Sequence, residues 1–141
     1  MAGNHLFVDT SGWASYLHAG DRFHVEAVQH YQQAYTQQHA IYTTDHVLAE
    51  LVALLSSTHF KLIRPRVVTL VRTILNDSGV SIEQTSWPQF RDAWTLLEQR
   101  QDKRWSLVDA ISIQTMERLG ILTALTTDEH FEQAGKIRLL K

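Results

Sequence analysis

The switch from Leu6-Phe7-Val8 directly into Asp9-Thr10-Ser11-Gly12 is the tightest constraint in this 141-residue chain. Three apolar, β-prone residues suit a buried strand, and the polar run after them suits a helix cap, at Thr10 or Ser11. A strand must therefore turn into a helix with no linker between them. The pattern recurs. Residues 40–43 form a short strand that breaks at Thr44-Asp45 into an apolar helix over 47–55. Residues 79–84 alternate as a strand should, 121–126 make a further strand, and 137–140 close the chain with another. Helical spacing fills the intervals. It predicts a short helix over 13–18 and an amphipathic one over 22–38 with Val28, Tyr31 and Tyr35 on one stripe. Further helices run from Pro65 to about Leu75, from Trp87-Pro88 onward with Phe90, Trp94 and Leu97 in step, from Ser106 to a stop at Gly120, and over 129–134. Five short strands separated by helices predict an α/β fold of three layers, a central parallel sheet of about five strands covered on both faces. The whole chain, 1–141, reads as a single domain.

A sheet of that kind places its ligands at the carboxyl ends of the strands. Four acidic residues fall there. Asp9 ends the first strand and Asp128 follows the fourth. Asp109 starts a helix, and Glu50 lies on the same helical side as Val47, Leu51 and Leu54. Each has a structural explanation of its own. Asp9 and Asp128 suit turns or caps, Ser106-x-x-Asp109 matches a capping box, and Glu50 at the edge of an apolar stripe suits an arginine pair. These explanations leave their joint placement unaccounted for. A cluster of carboxylates is electrostatically costly unless a hard divalent cation sits within it, and oxygen-only ligation selects magnesium or manganese.

Composition narrows the classes. A net charge of −2 gives no global attraction to nucleic acid, so any basic surface is local. There is no cysteine, which excludes disulfides, zinc–thiolate centres and a cysteine nucleophile, and suits a reducing cytoplasm. No segment has the length of a membrane span or the pattern of a secretion signal, so a cytoplasmic protein with no membrane partner is expected. An aspartyl-nucleophile phosphatase wants an Asp two residues after the first, where Ser11 stands. A receiver domain wants an acidic pair before the first helix, and residues 4–8 contain none.

Four stretches taken in order resemble the PIN-domain ribonucleases, and in particular the toxin subunits of VapBC-type toxin–antitoxin pairs. They are Phe7-Val-Asp9-Thr-Ser-Gly-Trp, Thr43-Thr-Asp-His-Val-Leu-Ala-Glu50, Asp102-Lys-Arg-Trp-Ser-Leu-Val-Asp109-Ala-Ile-Ser, and Leu125-Thr-Thr-Asp128-Glu-His-Phe131. The resemblance covers essentially the whole chain. It implies a magnesium- or manganese-dependent endoribonuclease that hydrolyses RNA phosphodiester bonds, with Asp9, Glu50, Asp109 and Asp128 as catalytic and metal-binding residues. Asp9, Glu50 and Asp109 would form the inner set, with Asp128 holding a second ion or orienting a water. Thr10 or Ser11, and Ser106, fall where family members place hydroxyls near the metal. It also implies a small antitoxin partner and a homodimer. Two alternatives remain open at this level, a PIN ribonuclease of RNA processing without an antitoxin and a PIN-like module that binds RNA or protein without cutting.

Other residues are weighed the same way. Arg100, Lys103 and Arg104 flank the Asp109 motif and are candidate RNA contacts. Lys61, Arg64, Arg66 and Arg72 read as a solvated helix face. Trp13, Trp94 and Trp105 read as core or subunit interface, and His130, beside Asp128, as a surface histidine within reach of the site.

Overall fold

A computed structural model describes residues 5–141. Five strands alternate with seven helices: β1 (Leu6–Val8), α1 (Thr10–Leu17), α2 (His24–Thr36), β2 (Ile41–Thr44), α3 (Asp45–Leu55), α4 (Arg64–Leu75), β3 (Val80–Glu83), α5 (Trp87–Gln99), α6 (Leu107–Leu119), β4 (Thr123–Leu125), α7 (His130–Gln133) and β5 (Ile137–Arg138). Every expected element is present. The last two strands are shorter than the expected runs, although the ladder continues past them through the Leu139 amide to the Ala124 carbonyl and the Leu140 amide to the Thr126 carbonyl, each at 3.1 Å.

The sheet is parallel throughout, in the order β3-β2-β1-β4-β5. The first strand is therefore the central one. All three of its residues are buried, although successive side chains point to opposite faces, so both faces are covered. The chain builds outward from β1 through β2 to β3, then returns to the other side of β1 for β4 and β5. That reversal opens a crevice between the carboxyl ends of β1 and β4, the position where such sheets hold ligands.

Local sequence explains how the crevice is framed. Gly12 lets α1 press against the end of β4, since a Cβ there would come within 2.0 Å of the Leu125 carbonyl oxygen. The Asp9 amide reaches the same carbonyl at 3.2 Å. Trp13 is fully buried, and its indole N–H donates to Thr43 Oγ1 at 3.0 Å while that hydroxyl donates to the Val8 carbonyl at 2.9 Å. One threonine thus satisfies two buried polar groups. Helix α6 begins with the Ser106–Asp109 capping box and stops at Gly120, whose φ of 69° is a left-handed conformation suited to glycine.

One aromatic expectation is corrected and another is narrowed. The buried stripe of α2 is Ala27, Tyr31 and Ala34, and Tyr35 is exposed, one position out of step with it. Trp13 and Trp105 are core residues, but Trp94 is 52 % exposed, because the face of α5 that packs against α6 is carried by Ala93, with Leu96 and Leu97 half-buried. Lys61, Arg64, Arg66 and Arg72 are all exposed. Among the described residues no helix is long and apolar enough to cross a membrane.

Candidate active site

The acids singled out above meet at the carboxyl edge of the sheet, each held by a different element. Asp9, at the N-terminus of α1, is 3 % exposed, and its Oδ2 accepts a hydrogen bond from Thr126 Oγ1 at 3.0 Å. Its Oδ1 is buried with no hydrogen-bond partner. Burial pushes the Asp9 carboxyl up to about 7, hydrogen bonding from the Thr10 backbone and Thr126 opposes that, and the nearby Asp109 and Glu50 charges add to it. Glu50, half-buried on α3, accepts from Thr10 Oγ1 at 2.5 Å. Among the described residues it has no arginine or lysine partner, so it does not have the arginine pair that a purely structural role would give it.

Asp109 is both cap and site residue. Its amide donates to Ser106 Oγ and its Oδ2 accepts from the Ser106 amide, each at 3.0 Å, so the capping box is complete. The same Oδ2 lies 2.9 Å from His130 Nδ1. Asp128 accepts from the His130 amide through Oδ1 at 2.9 Å, and that oxygen is also 3.2 Å from His130 Nδ1. Burial raises the Asp128 carboxyl above its ordinary range, against the hydrogen bond from the His130 backbone, and the Asp109 charge raises it further. Donor atoms of Asp109, Asp128 and His130 all lie within 4.8 Å of one another. Asp9 and Glu50 lie outside that closest grouping; a hydroxyl ties Asp9 to it, and Glu50 is held by Thr10, the residue after Asp9. Thr126 bridges Asp9 to the Asp128 amide, the latter contact at 3.0 Å, and Ser11 joins Thr126 at 3.1 Å and the Thr127 amide at 3.0 Å.

The expected supporting residues thus have distinct places. Thr10 holds Glu50, Ser11 holds the strand end after β4, and Ser106 holds Asp109. Arg100 is pinned to Asp102 at 3.1 Å with its guanidinium 5.3 Å from the Trp105 ring centroid, and Lys103 lies 3.8 Å from Asp102. Arg104 is exposed. A cavity of about 570 Å³ is lined by residues of α5 and α6 together with Thr85, Arg100, Trp105, Gln133 and Ala134, and none of the four acids lines it.

One organising residue was not singled out by sequence, and the surface reading of another is corrected. Thr126 looks like an ordinary strand residue, yet it organises two of the acids. His130 is half-buried against two carboxylates and not a free surface group. The only available signal was its position two residues after Asp128.

Residues 6–137 match the family described as PIN domain. The chain belongs to the PIN-domain family. This PIN domain is 29 % identical over 134 residues to a 23S rRNA-specific endonuclease, VapC20, of Mycobacterium tuberculosis, covering 95 % of this chain and 97 % of the relative. The crystal structure of Mycobacterium tuberculosis VapC20, described as a Sarcin-Ricin loop cleaving toxin, superposes with a TM-score of 0.80 at 28 % identity, covering 96 % of this chain and 99 % of that one. The FitAcB structure from Neisseria gonorrhoeae shares the fold at a TM-score of 0.63 and 15 % identity, with 96 % of each chain covered.

Proposed function

We propose that this PIN domain is a divalent-metal-dependent endoribonuclease, the toxin of a toxin–antitoxin pair, with Asp9, Glu50, Asp109 and Asp128 as its metal-binding and catalytic residues. The observation that carries the reading is Asp9. A carboxylate oxygen buried without a hydrogen-bond partner, beside other acids, is costly in isolation and well suited to a cation. The donor set is oxygen-rich with one imidazole at its edge and contains no thiolate, which fits magnesium or manganese.

When bound, the ion supplies Lewis acidity that activates a water and offsets charge on the phosphodiester. The chain's own contribution is positioning. Thr10 orients Glu50, Thr126 orients Asp9, and the Ser106 box fixes Asp109, so the acids are held before an ion or substrate arrives. Arg100, Lys103 and Arg104 would meet RNA phosphates, and Arg100 and Lys103 would have to exchange Asp102 for them. A small antitoxin and a homodimer complete the proposal, and the sarcin–ricin loop cut by the Mycobacterium tuberculosis relative is the first RNA to try.

The test is cleavage of that RNA and of whole ribosomes with magnesium or manganese, with excess chelator, and with Asp109→Asn. Cleavage is expected only with the ion and the intact acid. Undiminished cleavage in chelator would overturn the metal reading. Harmless expression of the unaltered chain without an antitoxin would overturn the toxin reading.

A further inference from the structure

We propose that His130 is itself a ligand of the divalent ion, giving the centre one nitrogen donor through Nδ1 and a preference for manganese over magnesium. The inference rests on the metal-dependent reading above and goes beyond it in naming a donor outside the acidic quartet and a selectivity that follows from it.

The two oxygens facing the ring do not need it. Asp109 Oδ2 accepts from the Ser106 amide at 3.0 Å, and Asp128 Oδ1 accepts from the His130 amide at 2.9 Å, so each has a backbone donor. Yet Nδ1 stands 2.9 Å from the first and 3.2 Å from the second. A single N–H cannot aim well at oxygens of two different residues, because a hydrogen bond weakens steeply away from linearity. A cation shared by all three atoms has no such restriction. Six-coordinate magnesium binds at about 2.1 Å, which sets neighbouring donors roughly 3 Å apart, the spacing already found between Nδ1 and each oxygen.

The backbone builds this placement. The His130 amide bonded to Asp128 closes a short turn that folds the imidazole back over the carboxylates. Phe131, the next residue, is fully buried and anchors the turn to the core. The His130 side chain keeps 22 % of its surface exposed, which leaves the ring reachable from solvent. Among the described residues this is the one grouping of three or more potential ligands with donor atoms all within 4.8 Å of one another.

Ligand chemistry supplies the selectivity. Magnesium takes oxygen donors and gives up water reluctantly, whereas imidazole suits transition metals, and manganese accepts oxygen and nitrogen together. A centre with a histidine donor therefore ranks manganese above magnesium by more than the acids alone would.

The experiment uses the untagged full-length protein loaded with Mn2+ alone. Pulsed EPR of the unaltered protein should show ¹⁴N coupling to the ion, and His130→Ala should abolish it. By titration the variant should lose about tenfold or more in Mn2+ affinity, with a smaller loss for Mg2+. A manganese spectrum without nitrogen coupling overturns the proposal, whether or not the variant folds. So does coupling that persists in His130→Ala, or an equal loss for the two ions. Failure of the underlying reading looks different, because the unaltered protein would then bind no manganese at all.

Discussion

Two aspartates stand at equivalent places in this sheet, one after β1 and one after β2, and they have opposite surroundings. Asp45 is saturated. Its Oδ1 accepts from the His46 amide at 2.9 Å and the Thr85 hydroxyl at 2.8 Å, and its Oδ2 accepts from the Thr85 amide at 3.1 Å. Burial alone would raise its carboxyl, but the hydrogen bonds from Thr85 and His46 prevail and hold it below the ordinary range. Asp9 has one oxygen satisfied and one orphaned, and its carboxyl is pushed up to about 7. The same topological slot thus serves joinery in one strand and, on the proposed reading, chemistry in the other. An acid whose acceptor capacity is used up ties elements together, and an acid left short is waiting for something from outside.

The largest expected effect separates the two by activity. Asp9→Asn should lower metal-dependent RNA cleavage by at least about a hundredfold, roughly 3 kcal/mol of transition-state stabilisation, with the fold retained. Asp45→Asn should leave the rate of folded protein unchanged. Cleavage assays with circular dichroism on both variants check this, and an active Asp9→Asn protein breaks the contrast.

The next effect is on stability against pH in metal-free protein. Asp9 is raised above its unfolded value of 3.8 to about 7, so between those pH values the folded state holds a proton that the unfolded chain has released. Its contribution is complete below pH 4 and is lost as pH rises to about 7, at up to about 1.4 kcal/mol per unit. Denaturant titrations across that range should show this slope, and Asp9→Asn should remove it. Asp45, being lowered, acts the other way. Its contribution is present above the unfolded value and is lost as pH falls through the folded one.

A smaller effect follows from the Asp45 joint itself. Asp45→Ala strands Thr85 donors but leaves them near solvent, since the Asp45 side chain is 40 % exposed. A loss of about 1 kcal/mol is expected, at the low end for a broken hydrogen-bonded charge. Equilibrium unfolding measures it, and a loss several times larger would mean that the joint is buried in solution.

The smallest shift is the one expected for Glu50→Gln without metal. With no cationic partner to strand, and with repulsion toward Asp9 relieved, its melting temperature should stay level or rise slightly. Its gain on adding magnesium or manganese should shrink, since only folded-state binding stabilises. Paired melts decide, and a lower metal-free melting temperature with the full metal shift retained would place Glu50 with Asp45.

Much of this was legible beforehand, for identifiable reasons. Strand and helix periods differ enough that Leu6–Val8 and the α6 segment could be assigned from residues alone, and the Ser106–Asp109 box marked a helix start. Strand order was not legible, because nothing in Leu6-Phe7-Val8 says that β4 lies beside it; that depends on the closeness Gly12 allows. Trp94 was left open between core and subunit interface because helical spacing shows that residues share a face without showing what covers it; its exposure rules out the core. Thr126 was passed over and His130 was read as a surface histidine because their roles arise from pairings 117 and 21 residues apart in sequence, which no local pattern encodes.

The hydroxyl of Thr126 has a consequence that reaches past architecture. It owns one hydrogen and two lone pairs. The hydrogen goes to Asp9 Oδ2, and the Asp128 amide occupies one lone pair, so Ser11 must donate to the other. Ser11 is then left with lone pairs for the Thr127 amide, as found. With Asp9 ionised, the chain of hydroxyls therefore has one polarity, every O–H running toward Asp9 Oδ2. Oδ2 is then occupied by Thr126, and Oδ1, the atom with no partner, is the oxygen left open to a proton or a cation. Cation and proton compete for a single oxygen. On the proposed reading, loading the site is therefore an ion exchange, releasing up to one proton from Asp9 for each ion admitted and most fully below about pH 7.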